Sequence, residues 1–212
     1  MSDPTPTPLR GDAERNRRRI LDAARTVFST QGPDATLTSV AQHAGVGAGT
    51  LYRRFPTRED LLTALYLEEY ATYHAILDEA LNLPDPWHGF SHFIHHMCEL
   101  QAQGGLQNPY AFTPGRNRTL EAQRTSMRVG MQTLIERAQA DGSLRPDLTP
   151  EDLLPIMIGH AAVITATRTI NAQIWRRALA LTLDGLRPQG AHPLPTPPLS
   201  QREVFRIQSR RA

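Results

Sequence analysis

The chain contains no lysine; each of its 23 basic residues is arginine. That uniformity is a compositional habit rather than a functional signal, but it has a chemical consequence. Arginine's planar fork donates bidentately to phosphate, where lysine offers only a point charge. Cysteine is nearly absent as well. Cys98 stands alone, which excludes an intrachain disulfide framework. No apolar run reaches the ~18 residues that a membrane-spanning helix needs. The opening "MSDPTPTPLRGD" lacks the charged and apolar regions of a signal peptide. A cytoplasmic location, away from any membrane, is the expectation. Net positive charge is also scarce, at +2, which argues against a protein that coats nucleic acid non-specifically.

What is present fits a soluble globular chain of one to two domains. Hydrophobic residues make up 40% and charged residues 21% of 212 positions. The modest net charge is unevenly spread. Arg10, Arg15, Arg17, Arg18 and Arg19 crowd the start, and Arg53, Arg54 and Arg58 follow a cluster of glycines in "GVGAGTLYRRFP".

Helical periodicity runs through most of the chain, with no convincing strand and no internal repeat. A first helix begins near Asp12, with Ile20, Leu21, Ala24, Val27 and Phe28 on one apolar stripe. Thr36 reads as the N-cap of a short helix carrying Leu37, Val40, Ala41 and Ala44, and Gly45 is placed to end it. A third helix covers about 48–55 and stops at Pro56. Thr57 and Asp60 form a capping-box pattern at the head of a long fourth helix. Asp85-Pro86 opens a fifth, to about residue 103. Residues 104–118 are broken by Gly and Pro, and 119–140 is helical in pattern. Thr149-Pro150-Glu151-Asp152 starts another helix, running to about 167, and a last one opens near Asn171. The expected division is a disordered arm over 1–11, a domain of three helices over 12–60, a larger helical domain over 61–189 and a Pro-rich, basic tail over 190–212. Within that tail, "REVFRIQSRR" reads more readily as a disordered basic end than as a short amphipathic helix.

Two short helices joined by a Gly-containing turn, behind a longer first helix, read as a helix-turn-helix. In that motif the second helix lies in the major groove of DNA and the first crosses the backbone. Val46 and Leu51 would anchor the recognition helix. Gly47, Ala48 and Gly49 keep its N-terminal end narrow, so that backbone approaches DNA closely, while Thr50, Tyr52 and Arg53 reach phosphates or base edges. Arg17 and Arg18 belong either to a charged helix face or to an arm that enters the minor groove.

The stretch "TLTSVAQHAGVGAGTLYRRFPTREDLL", residues 36–62, resembles the DNA-binding domain of the TetR family of bacterial transcriptional repressors, and the likeness extends back through "RRRILDAARTVFSTQG". Ala44, Gly45, Val46, Thr50, Leu51, Tyr52, Phe55 and Thr57 carry it. Weaker likeness lies in "DGSLRPDLTPEDL" and "RRALALTLDGLRP". The resemblance implies an all-α fold: a three-helix N-terminal helix-turn-helix domain, then a larger helical domain for ligand binding and dimerisation. It implies a homodimer that binds a palindromic double-stranded operator and leaves it when a small-molecule effector binds. It assigns phosphate contacts to Thr38, Ser39, Tyr52 and Arg58. Two departures stand out: Gly47 replaces a frequent Ser or Thr cap, and Ala48 replaces a longer polar side chain. Arg54 stands where an aromatic or His is frequent and adds a candidate contact.

The helical remainder supplies effector candidates. Core packing is the plain reading of its Met, Phe and Ile residues, and the same residues line cavities in helical ligand domains. Those candidates are His92, Phe93, His96, Met97, Phe112, Gln123, Met127, Met131, Ile158 and His160. His88, His92, His95 and His96 share helical spacing in "WHGFSHFIHHMCEL". No CxxC or HExxH arrangement accompanies them, so neither metal nor cofactor is expected. Leu153, Ile156, Ile164, Trp175, Leu179 and Leu183 pack internally or, as the resemblance implies, form an isologous dimer interface. Two other functions find less support in the residues. An enzyme lacks support, since no nucleophile elbow, phosphate-binding glycine loop or metalloprotease motif is present. A non-specific architectural DNA-binding protein fits the low net charge poorly.

Overall fold

The computed structural model describes residues 8–32, 35–104 and 117–209. Among these residues there is no strand. The helices are α1 (Pro8–Gln31), α2 (Leu37–Ala44), α3 (Ala48–Arg54), α4 (Arg58–Asn82), α5 (Pro86–Ala102), α6 (Arg118–Ala140), α7 (Leu153–Thr167), α8 (Ile174–Gly185) and α9 (Gln201–Ser209), with short 3₁₀ turns at Pro150–Asp152 and Pro188–Gly190. The all-α expectation holds. The chain divides into two compact units, Met1–Glu68 and Glu69–Ala212, so the division falls inside α4.

Local chemistry sets the helix ends. Thr36 Oγ1 accepts from Ser39 N at 3.1 Å and starts α2. Thr57 and Asp60 exchange bonds at the head of α4: Thr57 N donates to Asp60 Oδ2 (2.9 Å) and Asp60 N to Thr57 Oγ1 (3.1 Å). Asp85 accepts from His88 N at 2.7 Å, with Pro86 at the first helical position of α5. Asp152 Oδ2 accepts from Thr149 N at 2.8 Å. The turn that follows is 3₁₀, so the α-helix proper begins three residues later than its sequence signals suggest. The first helix also differs, starting at Pro8, before Asp12.

The first unit is built on the α1 stripe. Ile20, Leu21, Ala24 and Val27 are at most 2% exposed, and α1 packs against α2, which packs against α3. Glu68 joins the unit's two long helices, accepting from Arg17 Nη1 at 2.7 Å and Arg25 Nη2 at 2.9 Å. In the second unit α5 packs on α6 and α7, and α7 on α8. Its centre holds Phe90, Phe93, Ile94, Cys98, Leu134 and Ile135. Burial pushes the Cys98 thiol up to about 12, which keeps it protonated and unreactive. The tail departs from expectation: residues 201–209 form α9. Ser200 and Glu203 explain it. Ser200 N donates to Glu203 Oε2 (2.9 Å) and Glu203 N to Ser200 Oγ (3.3 Å), a capping box that gives this segment its own helix start.

Candidate functional site

The chain between α2 and α3 makes a tight, fully bonded turn. Gly45 takes φ 63°, a left-handed conformation that side chains disfavour. Its N–H donates to Gln42 O at 3.1 Å, and Val46 N donates to Ala41 O at 3.0 Å. Arg19 completes this end of α2, donating from Nη2 to Ala44 O at 2.9 Å. That role was not legible in the sequence, where Arg19 is one arginine of a run.

Helix α3 then shows two different sides. Leu51 is fully buried, and Phe55, whose N–H closes the helix onto Leu51 O at 2.8 Å, is 5% exposed. Gly47, Ala48, Gly49, Tyr52, Arg53 and Arg54 face solvent, and Thr50 is half-buried. Tyr52 is 46% exposed despite its large ring. A Cβ at Gly47 or Gly49 would meet nothing within 4 Å. Gly47 is the N-cap residue and supplies no side-chain bond. The surface is therefore narrow at the start of α3 and cationic at its end.

The remaining interface candidates separate. Thr38, Arg18 and Arg58 are exposed, and Ser39 is half-buried with its hydroxyl 2.9 Å from that of Thr36. Arg58 lies over the Phe28 ring, 5.5 Å from its centroid. Arg54 approaches Glu14 at 3.9 Å, beyond hydrogen-bond length. Arg17 is turned inward onto Glu68, so its guanidinium serves the α1–α4 contact within this unit.

In the second unit, Phe93, Met97, Met127, Met131 and His160 are buried, and His92, His96, Gln123 and Ile158 are half-buried. Phe112 lies outside the described residues. His92 and His96 stack with centroids 4.1 Å apart, and His92 Nε2 stands 3.5 Å from Glu79 Oε1 without hydrogen-bond alignment. His95 packs on Trp175, and burial holds its pKa below the usual imidazole value, against the opposing pull of Glu99. Among the described residues no three His, Cys, Asp or Glu side chains converge as metal ligands would. His160 Nε2 meets Thr182 Oγ1 at 3.2 Å, and burial lowers its pKa too. Buried polar atoms without a hydrogen-bond partner include His74 Nε2, Gln101 Oε1 and His160 Nδ1. Met127 and Met131 also line a separate cavity of about 230 Å³ among α6, the Pro150–Asp152 turn, α7 and α9.

Of the interface candidates on α7 and α8, Leu153, Ile164, Trp175 and Leu179 are packed inside the chain's own core. Ile156 and Leu183 are half-buried. Leu181, 63% exposed, and Ile170, 86% exposed, lie outward and were not singled out from the sequence.

A buried-backed recognition helix behind a capped scaffold helix defines a helix-turn-helix DNA-binding regulator. Comparison with known proteins agrees. The family profile "Bacterial regulatory proteins, tetR family" matches residues 20–65, and "Transcriptional regulator SbtR-like, C-terminal domain" matches 85–188. The chain is 32% identical over 200 residues to the HTH-type transcriptional regulator UidR of Escherichia coli K12, covering 84% of this chain and 96% of that one. It is 42% identical over 79 residues to the HTH-type transcriptional repressor LfrR of Mycolicibacterium smegmatis, of whose length it spans 39%. The crystal structure of the TetR transcriptional regulator SCO0520 from Streptomyces coelicolor superposes with a TM-score of 0.57 at 33% identity, over 81% of this chain and 98% of the other. The chain belongs to the TetR family of bacterial transcriptional regulators. Its family and relatives are regulators of transcription rather than enzymes, and among the described residues no helix is long and apolar enough to cross a membrane.

Proposed function

We propose that the chain is a homodimeric repressor that binds a palindromic operator and is released by a small molecule held in its second unit. The observation that carries the DNA-reading part is the exposure of Tyr52, Arg53 and Arg54 on a helix whose other side, Leu51 and Phe55, is buried. Arg53 donates to phosphate or to a base edge, Tyr52 and Thr38 to phosphate, and the bare backbone of residues 47–49 lies against DNA. The name of LfrR supports repression over activation.

Dimerisation is supported by α7 and α8. Gly159, Ala162 and Ala166 are exposed at helical spacing on α7, and Ala180 and Leu181 are exposed on α8. Small residues permit close helix approach, and an exposed leucine gains by burial. These residues, with Ile156 and Leu183, form the isologous contact. Effector binding is supported by the orphaned polar atoms of His74, Gln101 and His160, since buried polar groups are normally satisfied. Release is a population shift: the effector binds better to a dimer whose recognition helices no longer match the ~34 Å groove repeat.

The test is selection from a random duplex pool at near-physiological salt, followed by sequencing. An inverted repeat is expected, and its half-site spacing reports the separation of the recognition helices. Replacing Arg53 by Ala should then lower affinity for that operator by about 5-fold or more, matching the ~1–3 kcal/mol worth of a good base contact. Recovery of unpatterned DNA alone would refute the reading.

A further inference from the structure

Helix α3 is held unevenly. Leu51 and Phe55 bury its middle and its end. Its start has little to hold it. Gly47, Ala48 and Gly49 are exposed, Val46 is half-buried, and the N-cap Gly47 offers no side-chain bond. A helix fixed at one end and loose at the other swings about the fixed end. Such a swing costs the core little. It costs base reading much more, because hydrogen bonds weaken steeply with distance and angle.

One side chain reaches the loose end. Arg19 Nη2 donates to Ala44 O at 2.9 Å. Among the described residues, no other side chain hydrogen-bonds to the backbone of residues 44–51. Arginines near a helix C-terminus commonly cap the carbonyls of their own helix. Arg19 differs, since it stands on α1, 25 residues away, and ties the turn to a second helix. That helix is a firm base. Ile20 and Leu21, next in sequence, are at most 1% exposed, and Arg17 and Arg25 both bond Glu68 on α4. The approach is close as well. A Cβ on Gly45 would lie 3.0 Å from Arg19 Nη2, so the glycine that makes the turn also admits the guanidinium. Among the described residues no carboxylate pairs with Arg19, and none competes with Ala44 O for it.

We propose that Arg19 is a positioning residue for operator reading: its bond to Ala44 O fixes the direction in which α3 leaves the turn, and so where Tyr52 and Arg53 arrive. The inference rests on the reading of α3 as the recognition helix. The role requires no contact between Arg19 and DNA, which separates it from a phosphate contact.

The experiment compares the full chain with Arg19→Met by anisotropy, on the selected operator and on a random duplex of equal length. Methionine keeps an apolar stem and removes the donors, and Arg19 is exposed, so the variant stays folded. Operator affinity should fall by ~5-fold or more. Affinity for the random duplex should change far less. The slope of log affinity against log salt should hold, whereas a lost phosphate contact would reduce it by ~0.9. Combined with Arg53→Ala, the loss should be smaller than the sum of the two single losses, because a misdirected α3 has already forfeited part of the Arg53 contact. Hydrogen exchange of the DNA-free chain gives a further readout. The Gly45 and Val46 amides bond within the turn, and those of Thr50 and Leu51 bond Gly47 O at the start of α3. In Arg19→Met these four should exchange faster while the α1 amides keep their parent rates. Parent-like operator affinity, equal losses on both duplexes with a reduced salt slope, strictly additive losses, or unchanged exchange would each overturn the proposal. A parent chain that selects an operator and a variant that binds it equally well sink this inference alone. A parent chain that selects no operator sinks the repressor reading instead, and the exchange rates then decide whether Arg19 holds the turn.

Discussion

Glycine 49 separates two demands on one residue. It sits inside α3, where glycine costs about 1 kcal/mol against alanine, and open space surrounds the position of its missing Cβ. Gly49→Ala should therefore raise the melting temperature by ~2–4 °C for a chain of this size. If DNA backbone approaches this helix closely, the same change should lower operator affinity. Calorimetric melting and anisotropy on one variant check both. Histidine 160 shows a different conflict. Burial depresses its folded pKa, so between that value and ~6.5 the unfolded chain binds more protons than the folded one. Its stabilising contribution is complete above ~6.5 and is lost as pH falls through the folded pKa. Melting temperature should drop from pH 7 to pH 5, and His160→Gln should flatten part of that drop. His95, also depressed by burial, accounts for a share that survives the substitution.

At the scale of elements, caps and breakers were legible and partners across helices were not. Thr36, Thr57 and Asp85 announce helix starts because the bond each makes lies within three residues. Ser200 and Glu203 do the same, yet the Pro-rich stretch before them pointed to a disordered end. There the compositional argument lost to a local bond pattern. Arg19 and Arg17 were unreadable for the opposite reason. Their partners, Ala44 O and Glu68, lie 25 and 51 residues away, and only packing brings them near. The α4–α5 contact is likewise invisible in sequence. A Cβ on Gly89 would meet Ala80 O, a backbone atom, at 2.6 Å. Gly89→Ala should cost about 1–3 kcal/mol of stability through forced separation of the two helices, measured by denaturant unfolding.

At the scale of the whole molecule, the proposed dimer depends on apolar residues that lie outside the core. Leu181 is far more exposed than its neighbour Leu179, which is 1% exposed on the same helix. Leu181→Glu should leave the chain folded and convert a dimer to a monomer by light scattering. Operator affinity should fall with it, because two half-sites then bind without a shared tether.

Helical periodicity, caps and the glycine-rich turn determined the order of α1 to α8 and the recognition helix from sequence alone, since each depends on residues a few positions apart. The burial of Leu51 behind an exposed Tyr52 follows from the same periodicity. Which of two similar leucines on α8 is covered, which arginine faces solvent and which clamps a neighbouring helix, and where α6, α7 and α9 leave a cavity were decided by tertiary structure. Those outcomes depend on the approach of segments distant in sequence, and spacing along one helix names a face without naming what that face will meet.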